Sequence, residues 1–296
     1  MADTLRRLGF VTYAGAPGLT DDDRLAIEPL RQLGCAVTPV VWDDHTVDWP
    51  RYDVLVLRST WDYHKKAAAF SSWLDRVESL GCPLWNPPGL IRWNMDKTYL
   101  RELEAKGVPV TPTEWLAPGE AANLETILDR NAWRRAVVKP TLSATAFLTW
   151  VTTTDTARSD QAKLKEMSER GGVLVQQFED SISQGEWSVI YFRGALSHSV
   201  LKLPSNGDFR VQKEYGGTSR PGEAPPGVVA TAEQVLSAVT RPWLYARVDL
   251  VNSDTGVRLM ELEMLEPDLF LRHRPGAAAR FADAIYSTLP PAFSHA

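Results

Sequence analysis

The sequence has no GxxxxGK[ST] phosphate loop, no GxGxxG fingerprint, no GxSxG elbow and no HExxH pair. The common nucleotide-binding and hydrolase signatures therefore do not explain it. Its five histidines are dispersed. Its two cysteines, Cys35 and Cys82, form neither a CxxC pair nor a metal-ligand spacing. Each follows a Leu-Gly step where a helix hands over to a strand, and both read as buried thiols in a reducing compartment. No basic block interrupts the formal net charge of -5, so nothing points to nucleic acid or an anionic membrane. No apolar run approaches the ~18 residues of a membrane span. Residues 1–7 carry charge without an apolar segment of signal-peptide length, so a cytoplasmic location is expected.

What is present is ordinary globular material: 296 residues, 44% hydrophobic and 23% charged, enough for one large domain or two to three smaller ones. Eleven tryptophans are many for this length, and scattered core and rim positions account for most. No internal repeat or low-complexity tract is found. The first third alternates strands (8–13, 36–41, 54–57, 83–85) with helices (21–33, closed by Gly34, and 70–80). That order predicts a small parallel sheet. A helix over 96–106, a strand at 137–139, a helix over 161–169 and a strand at 173–178 follow. The last third reads as two hairpins, 186–192 with 195–202 and 245–251 with 258–265, then a helix over 277–289. The Gly/Pro-rich stretch 204–227 reads as a long loop.

Three groups of residues carry possible chemistry. Glu261 and Glu263 stand two apart in a strand and share a face, with Met260, Leu262 and Met264 expected on the other. Asp249 lies on the partner strand. Three converging carboxylates repel without a cation, and Mg2+ takes such oxygens together with substrate phosphates. The alternative is a solvated strand face. Lys97 at a helix start and Lys139 at the end of an apolar strand suit the phosphates of a nucleotide. The small and hydroxyl residues after Lys139, Ser143 and Thr145 among them, let backbone N–H groups approach phosphate oxygens; an ordinary turn is the other reading. Gln176, Gln177 and Phe178, ending a buried strand, suit an adenine slot.

Taken in order, Asp96-Lys97, Val138-Lys139-Pro140, Val175-Gln176-Gln177-Phe178, Gly185-Glu186-Trp187-Ser188, Asp208-Phe209-Arg210, Asp249 and Glu261-Leu262-Glu263 resemble the ATP-grasp superfamily. The resemblance spans residues 90–275, and the first 90 fit that family's preceding α/β domain. Leu57 to Tyr63, Trp85-Asn86-Pro87, Arg92-Trp93-Asn94, Gly207 to Gln212 and Glu266 to Leu271 look like the O-ureido-D-serine cyclo-ligase branch. The resemblance implies an α/β (α+β) ATP-grasp fold of three units. These are a parallel α/β domain at 1–90 and two subdomains, 91–180 and 181–296, holding ATP between them. It implies that Lys97 and Lys139 bind ATP phosphates, that the segment Gln176 to Glu179 holds adenine, and that Glu179 or Glu186 reaches the ribose. Asp249, Glu261 and Glu263 would bind Mg2+. Many family members carry Asn where Glu263 stands, which makes this site more anionic. Arg210 would sit over the transferring phosphate. By analogy the chain is a homo-oligomer, a dimer or tetramer.

The expected reaction is attack of a small-molecule carboxylate on the γ-phosphate of ATP, then amide or ring formation from the acyl phosphate with release of ADP. The alternatives are an intermolecular carboxylate–amine ligase and a non-catalytic nucleotide-binding protein. Stretches 143–147 and 204–215 are the candidate covers that exclude water. For the substrate, Arg58 at a strand end would clamp a carboxylate and Asp62 would pair an ammonium. Trp61 and Tyr63 would shape the pocket, and Arg272, with His273 beside it, would reach the substrate. Packing is the alternative for the aromatics, and solvated helix-start charge for Arg272.

Overall fold

The computed structural model describes residues 5–253 and 255–289. Strands β1 (Arg6–Thr12), β2 (Cys35–Val41), β3 (Val54–Ser59) and β4 (Leu84–Trp85) form a parallel sheet in the order β2-β1-β3-β4. Every residue of β3 is buried, because its alternate side chains enter two different cores. Val54 and Val56 pack with Leu30 and with Phe281 of the C-terminal helix, Ala277–Tyr286. Leu55 and Leu57 pack with Phe70 and Trp73 on the opposite face. The helix expected over 21–33 is broken into α1 (Asp21–Arg24) and α2 (Ile27–Gln32). Pro29 is the physical reason: it has no N–H for the Leu25 carbonyl one turn earlier, and its ring crowds that carbonyl. Helix α3 (Ala67–Ser79) supplies Phe70 and Trp73.

Helices α4 (Pro88–Met95) and α5 (Tyr99–Ala105) follow, α4 without a counterpart in the sequence reading. They lead to an antiparallel sheet of β5 (Thr113–Leu116), β6 (Arg135–Pro140), β7 (Trp150–Thr153) and β8 (Val173–Gln177), ordered β5-β8-β6-β7. Helices α6 (Leu124–Arg130) and α7 (Ala157–Arg170) cover it through Leu124, Ile127, Leu164 and Met167.

The third sheet is antiparallel, ordered β11-β10-β9-β12-β13, with β9 (Glu186–Phe192), β10 (Ala195–Leu203), β11 (Thr218–Gly222), β12 (Tyr245–Ser253) and β13 (Gly256–Glu263). Stretch 204–227 is therefore not all loop. It contributes β11, an edge strand that tolerates Pro221 because one side of an edge needs no N–H donor. Helix α8 (Pro226–Ser237) and helices α4 and α5 pack on one face of this sheet. Residues 1–4, 254 and 290–296 lie outside the described residues, and with 254 part of the turn expected for the second hairpin. No helix among the described residues is long and apolar enough to cross a membrane.

Two buried asparagines fix β12 and β13 in place. Asn86 donates to the carbonyls of Tyr245 (2.9 Å) and Met264 (2.7 Å) and accepts from the Leu244 N–H (2.6 Å). Asn94 donates to the Leu262 carbonyl (2.8 Å) and accepts from the Met264 N–H (2.7 Å). Both satisfy backbone groups left without a partner at the sheet edge, whose burial would otherwise be costly. A β-bulge corrects one expectation. Asp249 lies opposite Glu261 but Leu250 lies opposite Leu259, so Met260 is the extra residue. Met260 therefore leaves the face of Leu262 and Met264 and joins Ile182, Val211 and Val251.

Candidate active site

A cleft of about 1140 Å³ runs between the sheets. Lys97, Lys139, Ser143, Thr145, Gln176, Glu186, Arg210, Asp249, Glu261 and Glu263 all line it, as do Trp61, Tyr63 and Arg272. The link between α4 and α5 delivers Lys97. Its Nζ donates to the Ser143 carbonyl (2.6 Å) and lies 3.0 Å from Glu261 Oε1. Lys139 arrives on β6. Burial lowers its pKa, Glu261 and Glu186 oppose that, and the like charge of Lys97 adds to it. The loop after Lys139 holds Thr145, Ala146 and Leu148 in the left-handed region, at φ 52°, 53° and 53°. Non-glycine residues adopt that conformation at a cost and mostly in special loops.

The acidic face belongs to β12 and β13. Cross-strand pairing sets Arg247 opposite Glu263 and Asp249 opposite Glu261. The expected mutual repulsion is relieved by the chain's own cations. Asp249 accepts from Ser188 Oγ (2.6 Å), Lys202 Nζ (2.9 Å) and Arg247 Nη2 (3.0 Å). Burial pushes its pKa up, but Arg247 and Lys202 outweigh burial and hold it well below the usual carboxylate range. Glu261 likewise stays low, burial being outweighed by Lys97 and Lys139. Glu263 goes the other way. Burial raises it to about 7, with Glu261 and Asp249 adding repulsion and only Arg247 strongly opposing. Glu266 is pushed up to about 8 by burial and by Glu263 and Glu261. Among the described residues, no three His, Cys, Asp or Glu groups stand as a ready metal cage. The donor set nonetheless suits Mg2+, because one or two carboxylates plus substrate phosphates are its usual ligands. The elevated Glu263 marks negative charge that the surrounding cations do not fully offset.

The apolar part of the cleft is formed by Val137, Ile182, Phe209 and Met260 beside Gln176. Gln176 is itself held by Thr113 Oγ1 (3.1 Å). Gln177 and Phe178 do not line the cleft. Phe178 sits behind it, under the Arg135 guanidinium (4.0 Å) and 5.9 Å from the Phe209 ring. Glu179 is buried away from the cleft, 3.6 Å from Arg258, whereas Glu186 faces the cleft paired with Lys202.

At the other end the sequence reading needs two corrections. Arg58 is not in the cleft. It is sealed in the first sheet, donating to Asp23 (2.8 Å) and the Pro267 carbonyl (2.8 Å), 5.0 Å over the Tyr245 ring. Asp62 accepts from Trp42 Nε1 (2.9 Å) and pairs with Lys66 (2.9 Å), also outside the cleft. Trp61 donates to the Glu266 carbonyl (3.1 Å), and Arg272 binds Asp22 (2.9 Å) and Asp268 (3.0 Å). Arg210 pairs with Asp208 (2.7 Å) and lies 3.6 Å over Tyr215. Arg247 and Lys202 were not singled out in the sequence, Met260 was expected on the opposite face, and Glu266 stood only in a resemblance motif, yet all four line the cleft. Two had a signal: Arg247 shares Asp249's face two residues earlier, and Lys202 lies opposite Glu186 in the first hairpin.

Residues 8–86 match the family model of the D-cycloserine synthetase DcsG N-terminal domain. The cycloserine biosynthesis protein DcsG of Streptomyces lavendulae is 31% identical, over 96% of this chain and 99% of that protein. The chain belongs to the DcsG family. The crystal structure of D-cycloserine synthetase DcsG has a TM-score of 0.86 to it at 29% identity, covering 96% of this chain and 100% of that one. The RimK domain ATP-grasp protein of Sphaerobacter thermophilus shares the fold alone, with a TM-score of 0.70 at 17% identity over 94% and 98% of the two chains. Membership of the DcsG family makes this chain an ATP-dependent ligase built on the ATP-grasp fold.

Proposed function

We propose that the chain converts O-ureido-D-serine to D-cycloserine, activating the carboxylate with ATP and closing it on an internal nitrogen. The observation that carries this reading is the meeting of Lys97, Lys139 and the opposed Asp249 and Glu261, from four separate stretches of chain, on one cleft. ATP lies between the sheet of 113–177 and the sheet of 186–263. We take the units as 1–90, 91–180 and 181–296, one to each sheet, with α4 and α5 reaching over to cover the last and the helix Ala277–Tyr286 packing back on the first. Lys97 and Lys139 hold the phosphates. Gln176, Val137, Ile182 and Met260 hold adenine, and Glu186 takes the ribose. Gln177 and Phe178 support that wall from behind.

Asp249, Glu261 and Glu263 would hold Mg2+, which when bound neutralises phosphate charge. Arg210 and Arg247 add fixed positive charge beside the transferring phosphoryl group, where preorganised charge lowers the barrier most. The substrate carboxylate attacks the γ-phosphate and becomes an acyl phosphate, and ADP leaves. Segments 143–147 and 204–215 cover the acyl phosphate against hydrolysis. Trp61, Tyr63 and Arg272 bound the substrate. Incubation with ATP, Mg2+ and O-ureido-D-serine, followed by mass spectrometry, is expected to give ADP and cycloserine together. ADP formed only with other carboxylates would discard this substrate.

One observation favours a second reading. The cleft extends to Gly15 and Arg24, leaving room for a separate acceptor molecule. An intermolecular ligase would then yield a linear amide containing two substrates instead of a ring.

A further inference from the structure

The substrate end of the cleft holds a hydrogen-bonded Ser–His pair for which phosphoryl transfer has no use. Ser219 Oγ lies 2.9 Å from His273 Nε2, and both residues line the cleft. Ser219 stands on the edge strand β11, and His273 ends the short turn Leu271–His273. That turn is pegged firmly. Asp22 accepts the backbone N–H groups of Leu271 and Arg272, each at 2.9 Å, and the His273 N–H donates to the Phe270 carbonyl at 2.9 Å. The turn also connects to the acidic face. Arg247 donates to the Asp268 carbonyl (3.1 Å), and the Asp268 carboxylate binds Arg272, the neighbour of His273. Burial, with Arg272 adding to it and Asp268 opposing, keeps the imidazole below its usual pKa. It is therefore neutral near pH 7 and free to take a proton.

The first chemical step needs no such acceptor, because a carboxylate attacks as it is. The second step does: a nitrogen that attacks an acyl phosphate must lose a proton. We infer that Ser219 and His273 are the proton-accepting pair of the bond-forming step, an assignment that rests on the ligase reading above. The nitrogen lone pair forms the C–N bond. The C–O bond to phosphate breaks, and its electron pair leaves with inorganic phosphate. The nitrogen's proton passes to Ser219 Oγ while the hydroxyl proton moves to His273 Nε2. The carbamoyl group that the ring nitrogen still carries is then lost to water as carbon dioxide and ammonia, which leaves cycloserine.

The test separates the two steps in His273→Asn and Ser219→Ala. Each variant is given ATP, Mg2+ and O-ureido-D-serine, with and without hydroxylamine. Hydroxylamine attacks the acyl phosphate without needing a protein base and reports it as a hydroxamate. Cycloserine formation is expected to fall about 100-fold, the lower range for loss of a general base, while hydroxamate formation stays within about 3-fold of wild type. Ser219→Ala alters only an edge-strand side chain, so it carries the same test if His273→Asn folds poorly. A parallel fall in both products, or an unchanged rate of cycloserine formation, would overturn the assignment. Failure of the wild-type protein itself to give ADP and hydroxamate would sink the ligase reading and the pair's role with it.

Discussion

Two buried charge clusters in this protein use similar parts and differ in one respect. Around Arg58, the guanidinium is 1% exposed and its partner Asp23 3%, and carboxylate, carbonyl and aromatic face complete the shell. Around Arg247, Asp249 and its second cation Lys202 are also buried, but Glu261 and Glu263 keep 28% and 25% of their side chains open to the cleft. The first cluster is electrostatically finished. The second leaves Glu263 elevated to about 7, by burial first and by the neighbouring Glu261 and Asp249 after it. A charged residue at a strand end thus marks a strut or a site according to whether one wall of its shell is missing.

The strongest way to break the comparison is at the open cluster. Lys139→Ala is expected to lower kcat/KM for ADP release by about 10³-fold, since a fixed charge on the transferring group is lost, with little change in Tm. A steady-state rate near wild type would remove Lys139 from the chemistry. The sealed cluster should respond in the opposite way. Arg58→Met strands the Asp23 carboxylate and is expected to cost about 3–5 kcal/mol in urea unfolding, with kcat of the folded enzyme nearly unchanged. Loss of rate without loss of stability would restore Arg58 as a substrate clamp.

A smaller effect comes from pH. Between about 4.5, the ordinary glutamate value, and about 7, Glu263 is protonated in the folded protein and ionised in the unfolded chain. The folded state binds more protons there, so the contribution of Glu263 falls as pH rises through that window and levels off above it, while Glu266, elevated to about 8, adds the same sign and carries the decline on to about pH 8. After discounting for the open side of Glu263, its effect is about 1 kcal/mol. Asp249, held low, has the opposite sign: its contribution is present above the ordinary carboxylate range and is lost as the pH drops below it. Urea unfolding from pH 4.5 to 7.5 should show the slope in wild type and a flatter one in Glu263→Gln. Identical slopes would show that Glu263 is not the elevated group. The smallest expected effect is on nucleotide affinity. Met260→Ala should raise KM for ATP about 5-fold, roughly 1 kcal/mol of lost apolar contact, while Phe178→Leu stays near wild type. The reverse ranking would put adenine against Phe178.

Much of this was legible in the sequence, for physical reasons. The apolar run of β3 announced a strand buried on both faces, and the i, i+2 spacing of Glu261 and Glu263 placed both on the cleft. Lys139 was visible because a charge ending an apolar strand has few structural uses, and Lys97, at an expected helix start, gained weight only beside it. The rest depended on information that local sequence does not hold. The bulge that turns Met260 into the cleft is a cross-strand register shift. The burial of Arg58 depends on Asp23 and Pro267, which are 35 and 209 residues away. Trp85-Asn86 and Trp93-Asn94 stood in the sequence only as marks of family resemblance, and the structure gives their asparagines the task of binding strand ends. Edge strand β11 was hidden by Pro221, a residue that argues against strands except at an edge.

The central claim is that a substrate carboxylate takes the γ-phosphoryl group of ATP. The most direct measurement uses O-ureido-D-serine labelled with ¹⁸O in its carboxylate, with ATP and Mg2+, and mass analysis of the released phosphate. The account predicts one ¹⁸O atom transferred into inorganic phosphate, with ADP as the nucleotide product. Unlabelled phosphate, or AMP carrying the label, would contradict it.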